Sequence, residues 1–192
     1  MSADRDEHEQ RPAARSVNYR EATEGDAEAI AVLHADSWRR HYRGAYLDTY
    51  LDGDVVADRL SVWAGRLAPP RANQYTVVAV GDGQAVGFAH VVYDADQRWG
   101  ALLDNLHVTN SLKGLGIGTR LLSEAARALL EGRPTSALHL WVLDQNSAAR
   151  SFYDARGGTR VQTELRGPFP GGGHALGHRY FWPDPSVLIG TS

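Results

Sequence analysis

Residues 101–131 read ALLDNLHVTNSLKGLGIGTRLLSEAARALLE, and the hydrophobic period changes inside this stretch. Ala101 to Val108 has strand character. From Ile117 onward, Ile117, Leu121, Leu122, Ala125, Leu129 and Leu130 fall on one side of a helix. Between the two lies Lys113-Gly114-Leu115-Gly116-Ile117-Gly118-Thr119. Glycines at such a turn let the backbone approach a ligand closely. The unpaired N–H groups at the start of the helix point into the same space and attract phosphate. Lys113 and Arg120 add positive charge. The turn lacks the Gly-Lys-Ser/Thr ending of a Walker A loop. It also lacks the third glycine of the dinucleotide fingerprint, because Gly118 is followed by Thr119-Arg120-Leu121. Taken alone, a glycine-rich connection that merely turns the chain explains it equally well.

Working outward, residues 17–22 alternate as a first strand, and a helix begins around Thr23–Glu28 and runs to about Arg43. Leu47 to Leu67 is a second helical region, broken near Asp52-Gly53 and ended by Pro69-Pro70. Tyr75–Val80 and Ala85–Tyr93 read as a hairpin around Gly81-Asp82-Gly83. After the central helix, Gly132 and Pro134 stop it and Leu138–Leu143 is a strand. Asn146–Arg156 is a short helix ended by Gly157-Gly158; Thr159–Leu165 and Ala175–Trp182 are two more strands. The order β-α-α-β-β-β-α-β-α-β-β gives a mixed α/β domain. Residues 1–16 are charged and without period, which predicts a disordered tail before a single domain at 17–192.

The chain has 192 residues, 43% hydrophobic and 22% charged, which suits one soluble domain with a full core. No cysteine is present, so a disulfide scaffold, a thiolate metal site and a cysteine nucleophile are excluded. The net charge of −3 advertises neither nucleic acid nor an anionic membrane. Lys113 is the only lysine, so the many arginines reflect a general bias. No apolar run approaches a membrane span and no signal-peptide stretch opens the chain, so a cytoplasmic protein is the expectation. His174 and His178 would stand ~13 Å apart along a strand and could not share a metal ion. There is no Gly-x-Ser-x-Gly elbow.

Two spaced motifs make the chain resemble the GNAT acetyltransferase superfamily over about residues 17–182. The first is a strand ending in Val108, followed at the right spacing by Lys113-Gly114-Leu115-Gly116-Ile117-Gly118. Lys113 departs from the family's usual Arg or Gln, keeping a donor but losing the planar fork. The second runs from Val142 through Asn146, Ala149, Phe152 and Tyr153 to Gly157. The resemblance implies a twisted mixed sheet of about six or seven strands flanked by about four helices.

The resemblance also implies acetyl-CoA as cosubstrate and no metal. Its phosphates would lie on the N–H groups of Lys113, Gly114, Leu115, Gly116, Ile117, Gly118 and Thr119. Its pantetheine arm would lie along Leu106, His107 and Val108, in a gap where strands 101–108 and 138–143 splay apart. Tyr153 matches the tyrosine that faces the CoA sulfur, where a phenol can supply a proton to a leaving thiolate. Asn146 matches an asparagine that contacts CoA and is also a natural helix N-cap.

For the base that deprotonates the acceptor, the family's early-strand glutamate has no counterpart, since Leu102 and Leu103 occupy that region. Asp104 is the nearest acid, on the opposite face from Asn105 by strand alternation; it is the candidate base or substrate ligand. His107 and His90 are alternatives. Trp38, His41 and Tyr42, with Tyr46 at spacing four, are candidates for an aromatic acceptor wall, core packing being the favoured alternative for Trp38. The loop 168–174 is a candidate acceptor-side lid.

The expected function is direct acetyl transfer in a ternary complex to a primary amine of a small molecule, an antibiotic or amine metabolite. Protein or peptide amines as acceptors, a larger acyl group, and a non-catalytic CoA-binding protein of the same fold are the alternatives. The family habit of pairing through terminal strands makes 175–182 the candidate edge of a homodimer.

Overall fold

Asp82 and Gly83 both have positive φ, 50° and 76°. This is the turn geometry that matches the twist of a tight hairpin, and it closes β2 (Gln74–Gly81) on β3 (Gln84–Asp96). A computed structural model describes residues 16–68, 72–170 and 172–190. The predicted tail, Ser16 apart, and Pro69-Pro70 lie outside these residues. Around the hairpin, β1 (Val17–Glu21), β4 (Gly100–Val108), β5 (Leu138–Leu143), β6 (Thr159–Arg166) and β7 (Ala175–Trp182) complete a seven-stranded sheet. The order is β1-β2-β3-β4-β5-β7-β6, and every neighbouring pair is antiparallel except β4–β5. That parallel step needs a crossover, which α4 (Ile117–Gly132) provides.

Helix α4 lays Ile117, Leu121, Leu122, Ala125, Ala126 and Leu129 on one face of the sheet, against Val77, Ala79, Ala89, Val91 and Leu103. The opposite face of β2–β4 is covered by α1 (Ala27–His41) and α3 (Val55–Leu67), where Ile30, Leu33, Trp63 and Phe88 pack together. The short α2 (Asp48–Leu51) precedes the expected break at Asp52-Gly53, and α5 (Ser147–Asp154) is followed by a turn through Gly157, which has a φ of 74°. None of the helices among the described residues is long and apolar enough to cross a membrane.

Three expectations are corrected. Strand β7 is not an edge: it lies between β5 and β6, with Gly177 to Tyr180 consecutively buried, as a strand covered on both faces must be. The edges are β1 and β6. Asp104 and Asn105 do not face opposite ways. His90 and Val91 of β3 pair with Asn105 and Leu103, so Asp104 is the extra residue of a β-bulge. The bulge breaks the alternation, and Asn105 Nδ2 donates to Asp104 Oδ2 at 2.6 Å. Helix α1 also stops at His41, and Tyr46 reaches Trp38 through the turn at Gly44 rather than along a helix face.

Candidate active site

Strands β4 and β5 pair only at Ala101–Leu138 and Leu102–His139. The Asp104 bulge sits just beyond the last pair, and a bulge bends the strand that carries it. From there the strands part, and a cavity of about 480 Å³ fills the gap. The backbone along the β5-facing side of β4 has no ladder partner there, so it can pair with an extended ligand as it would with an added strand.

The glycine turn closes one end of this cavity. Gly114 and Gly116 each have a φ of 81°, and a Cβ on either would meet nothing within 4 Å. Glycine is therefore demanded by conformation, not by space. Gly116 caps α4, whose first N–H groups have no partner inside the helix. Asn146 caps α5 on the other bank, its Oδ1 accepting from Ala149 N at 3.2 Å. Arg156 joins the two banks: it donates to Thr119 Oγ1 and, at 3.0 Å, to Phe152 O, while lying 3.7 Å from the Phe152 ring centre. Its buried Nε has no hydrogen-bond partner among the described residues. These donors, the helix terminus and the open strand edge fit a diphosphate with an extended amide arm.

Leu106, His107, Val108, Lys113, Gly114, Gly116, Gly118, Thr119, Asn146 and Tyr153 all line the cavity. Leu115 instead stands exposed at the loop tip, and the Ile117 side chain is buried in the core, leaving only their backbones toward the turn. Tyr153 is buried against Phe152, Tyr180 and Trp182. Burial, reinforced by Tyr42, raises its phenol well above the usual value, so it holds its proton.

Of the residues expected to form an acceptor wall, His41, Tyr42 and Asp104 line the cavity and Trp38 does not. Trp38 is packed among Ala35, Tyr46, Leu51 and Val55, with the Arg59 guanidinium 4.2 Å above its ring. Burial, then Asp104, pushes the Tyr42 phenol up to about 12. Asp104 Oδ2 accepts from Asn105 and pairs with Arg66 at 2.7 Å, whereas Oδ1 has no hydrogen bond among the described residues. His107 also lines the wall, its Nδ1 2.8 Å from Ser37 Oγ. Burial, with His41 and Lys113 nearby, drives its pKa far below the ordinary imidazole value. His90 is withdrawn: it is fully buried, bonded to Thr76 at 2.8 Å and edge-on to Trp63. His178 is tied to Thr163 and Asp144.

Sequence reasoning missed Ser37, Arg66, Gln145 and Arg156. In so arginine-rich a chain nothing local marks Arg66 or Arg156. Gln145 stands beside Asn146 and donates to His41 O and Arg43 O, both at 2.9 Å, tying α1 to the entry of α5.

The profile of the acetyltransferase (GNAT) family matches residues 20–157. A chain of Mycobacterium tuberculosis described as a probable N-acetyltransferase is 28% identical over 144 residues, 73% of this chain and 79% of that one. The PaiA N-acetyltransferase of Thermoplasma acidophilum, solved with coenzyme A, shares the fold at a TM-score of 0.69 and 21% identity, covering 85% of this chain and 98% of its own. A Salmonella typhimurium structure that holds acetyl-CoA aligns at 0.64 and 17% identity, covering 86% and 92%. The split between β4 and β5, the glycine turn that ends it and the family match agree: this chain belongs to the GNAT family of acetyltransferases.

Proposed function

We propose that the protein binds acetyl-CoA in the β4–β5 gap and acetylates a primary amine of a small molecule by direct transfer. The observation that carries this reading is the gap itself: two ladder pairs, then a cavity with the glycine-rich turn at one end and a buried Tyr153 in its wall. Acetyl-CoA supplies an activated acetyl thioester. The chain's residues supply position and proton transfer. The N–H groups of the turn hold anionic charge at the helix start. A β4 N–H near Val108 offers a hydrogen bond to a carbonyl oxygen. Tyr153 holds a proton at its hydroxyl for a departing thiolate. Asp104 Oδ1, the open carboxylate oxygen, receives the acceptor's ammonium and takes its proton. The absence of cysteine supports direct transfer over a thioester on the enzyme.

A small acceptor is favoured by the loop before β7. Phe169 stacks on Tyr46 with ring centres 4.8 Å apart, and Gly173 sits so close to Ala45 O that a Cβ there would lie 1.7 Å away. On this reading the loop, packed onto the α1–α2 connection, shields the acceptor side and suits a small amine better than a folded protein. The test is free-thiol release from acetyl-CoA with a panel of amines, peptides and no acceptor, with Tyr153→Phe alongside. Release that needs a small amine and falls about 10²-fold in the variant is expected. Release with peptides alone would transfer the activity to the protein-acceptor alternative.

A further inference from the structure

The one lysine of the chain opens the phosphate turn, where the family's usual residue is Arg or Gln, and the structure gives it a partner from another element. Lys113 Nζ lies 2.8 Å from Nε2 of His41, the last residue of α1. An ammonium can only donate, so His41 Nε2 accepts and its ring is neutral here. A compact ammonium suits this single acceptor; a guanidinium fork would aim further N–H groups at a ring that cannot receive them.

His41 is held in place. Gln145 binds its carbonyl oxygen, and one turn earlier Ser37 is bonded to His107 on β4. The His41–Lys113 pair borders both the β4–β5 cavity and a neighbouring one of about 700 Å³ between α1 and the β2–β3 hairpin. His41 therefore stands beside the phosphate turn as well as in the cavity wall that Tyr42 and Asp104 share.

We infer that His41 and Lys113 together clamp the diphosphate of the acyl carrier, and that its binding draws one proton from solvent onto His41 Nε2. This rests on the acetyl-CoA reading of the cavity. The groups facing His41 are Lys113 from the turn, Arg40 and Asp36 from its own helix, and His107 from β4. Arg40 is paired with Asp36 at 2.8 Å, which leaves Lys113 as the main electrostatic opponent of a charged imidazole. Burial first, then Lys113, lowers His41 below its ordinary value. A diphosphate reverses this balance: Lys113 turns to the anion and His41, protonated, gains the same partner. The C-terminus of α1 favours that charge too.

The test is calorimetric binding of 3′-dephospho-CoA to the full chain in two buffers of different ionisation enthalpy, at about pH 6.5. This probe keeps the diphosphate and lacks the terminal phosphate, which itself titrates near ~6. Net proton uptake is expected, with Kd rising by up to about tenfold per pH unit above the empty-site pKa of His41. His41→Gln, which keeps an acceptor for Lys113 but cannot titrate, is expected to bind without proton uptake. In the wild type, the His41 ring resonance is expected to shift to its protonated position on binding. Binding without proton exchange, equal exchange in His41→Gln, or an unmoved His41 resonance would overturn the clamp while sparing the acetyl-CoA reading. Failure of both 3′-dephospho-CoA and acetyl-CoA to bind would overturn both.

Discussion

The two oxygens of Asp104, a residue of the cavity wall, are inequivalent: Oδ2 is engaged by Arg66 and Asn105, and Oδ1 has no hydrogen bond among the described residues. Asp104→Asn keeps the size and the Asn105 neighbourhood but removes the proton acceptor. Steady-state kinetics are expected to show kcat/KM for the acceptor falling about 10²-fold with KM for acetyl-CoA little changed. An unchanged acceptor kcat/KM would remove Asp104 from the reaction. The sequence named Asp104 as a candidate by its rarity within a strand, yet placed it opposite Asn105. An extra residue leaves the apolar pattern of ALLDNLHV intact, so the bulge has no local signature. His90 and His107 were indistinguishable in the sequence. Only the packing separates a ring buried beside Trp63 from one bonded to Ser37 at the cavity.

Among the elements, the glycine turn lines the cavity, and the β6–β7 loop packs on the α1–α2 connection through Phe169 and Gly173; under the proposed function they serve opposite ends of the site. Gly116→Ala forces an alanine into a left-handed conformation at the cap of α4, a strain of about 1–2 kcal/mol. It is expected to raise KM for acetyl-CoA several-fold while sparing the acceptor. Gly173→Ala pushes the loop off Ala45 O and is expected to raise the acceptor KM with acetyl-CoA affinity retained. Kinetics with each substrate varied in turn check both, and a swap of the two effects would contradict the assigned ends. The strands, the hairpin turn and α4 were legible because period and turn chemistry are local properties. The place of β7 was not, since its second neighbour is β5, separated from it in the chain by α5 and β6.

At the scale of the molecule, α4 and the α1–α3 pair clamp the two faces of β2–β4, and the site opens where that clamped half meets β5. Arg20 on β1 fastens the approach to α1 by a two-pronged pair with Asp26 at 2.8 Å, which lowers the Asp26 carboxyl to about 2. A depressed folded-state pKa stabilises above the unfolded value and loses that stability as pH falls from ~4 toward ~2. Thermal melts are therefore expected to show Asp26→Asn destabilised by about 1–2 kcal/mol at neutral pH, the gap closing with acid across that window. A gap independent of pH would contradict the ion pair as its source. The central claim, that acetyl-CoA lies in the β4–β5 gap, is tested most directly by amide hydrogen exchange of the full chain with and without acetyl-CoA. Slowed exchange is predicted at 106–108, at 114–119 and at the start of α5. No slowing there, or slowing confined to other segments, would contradict it.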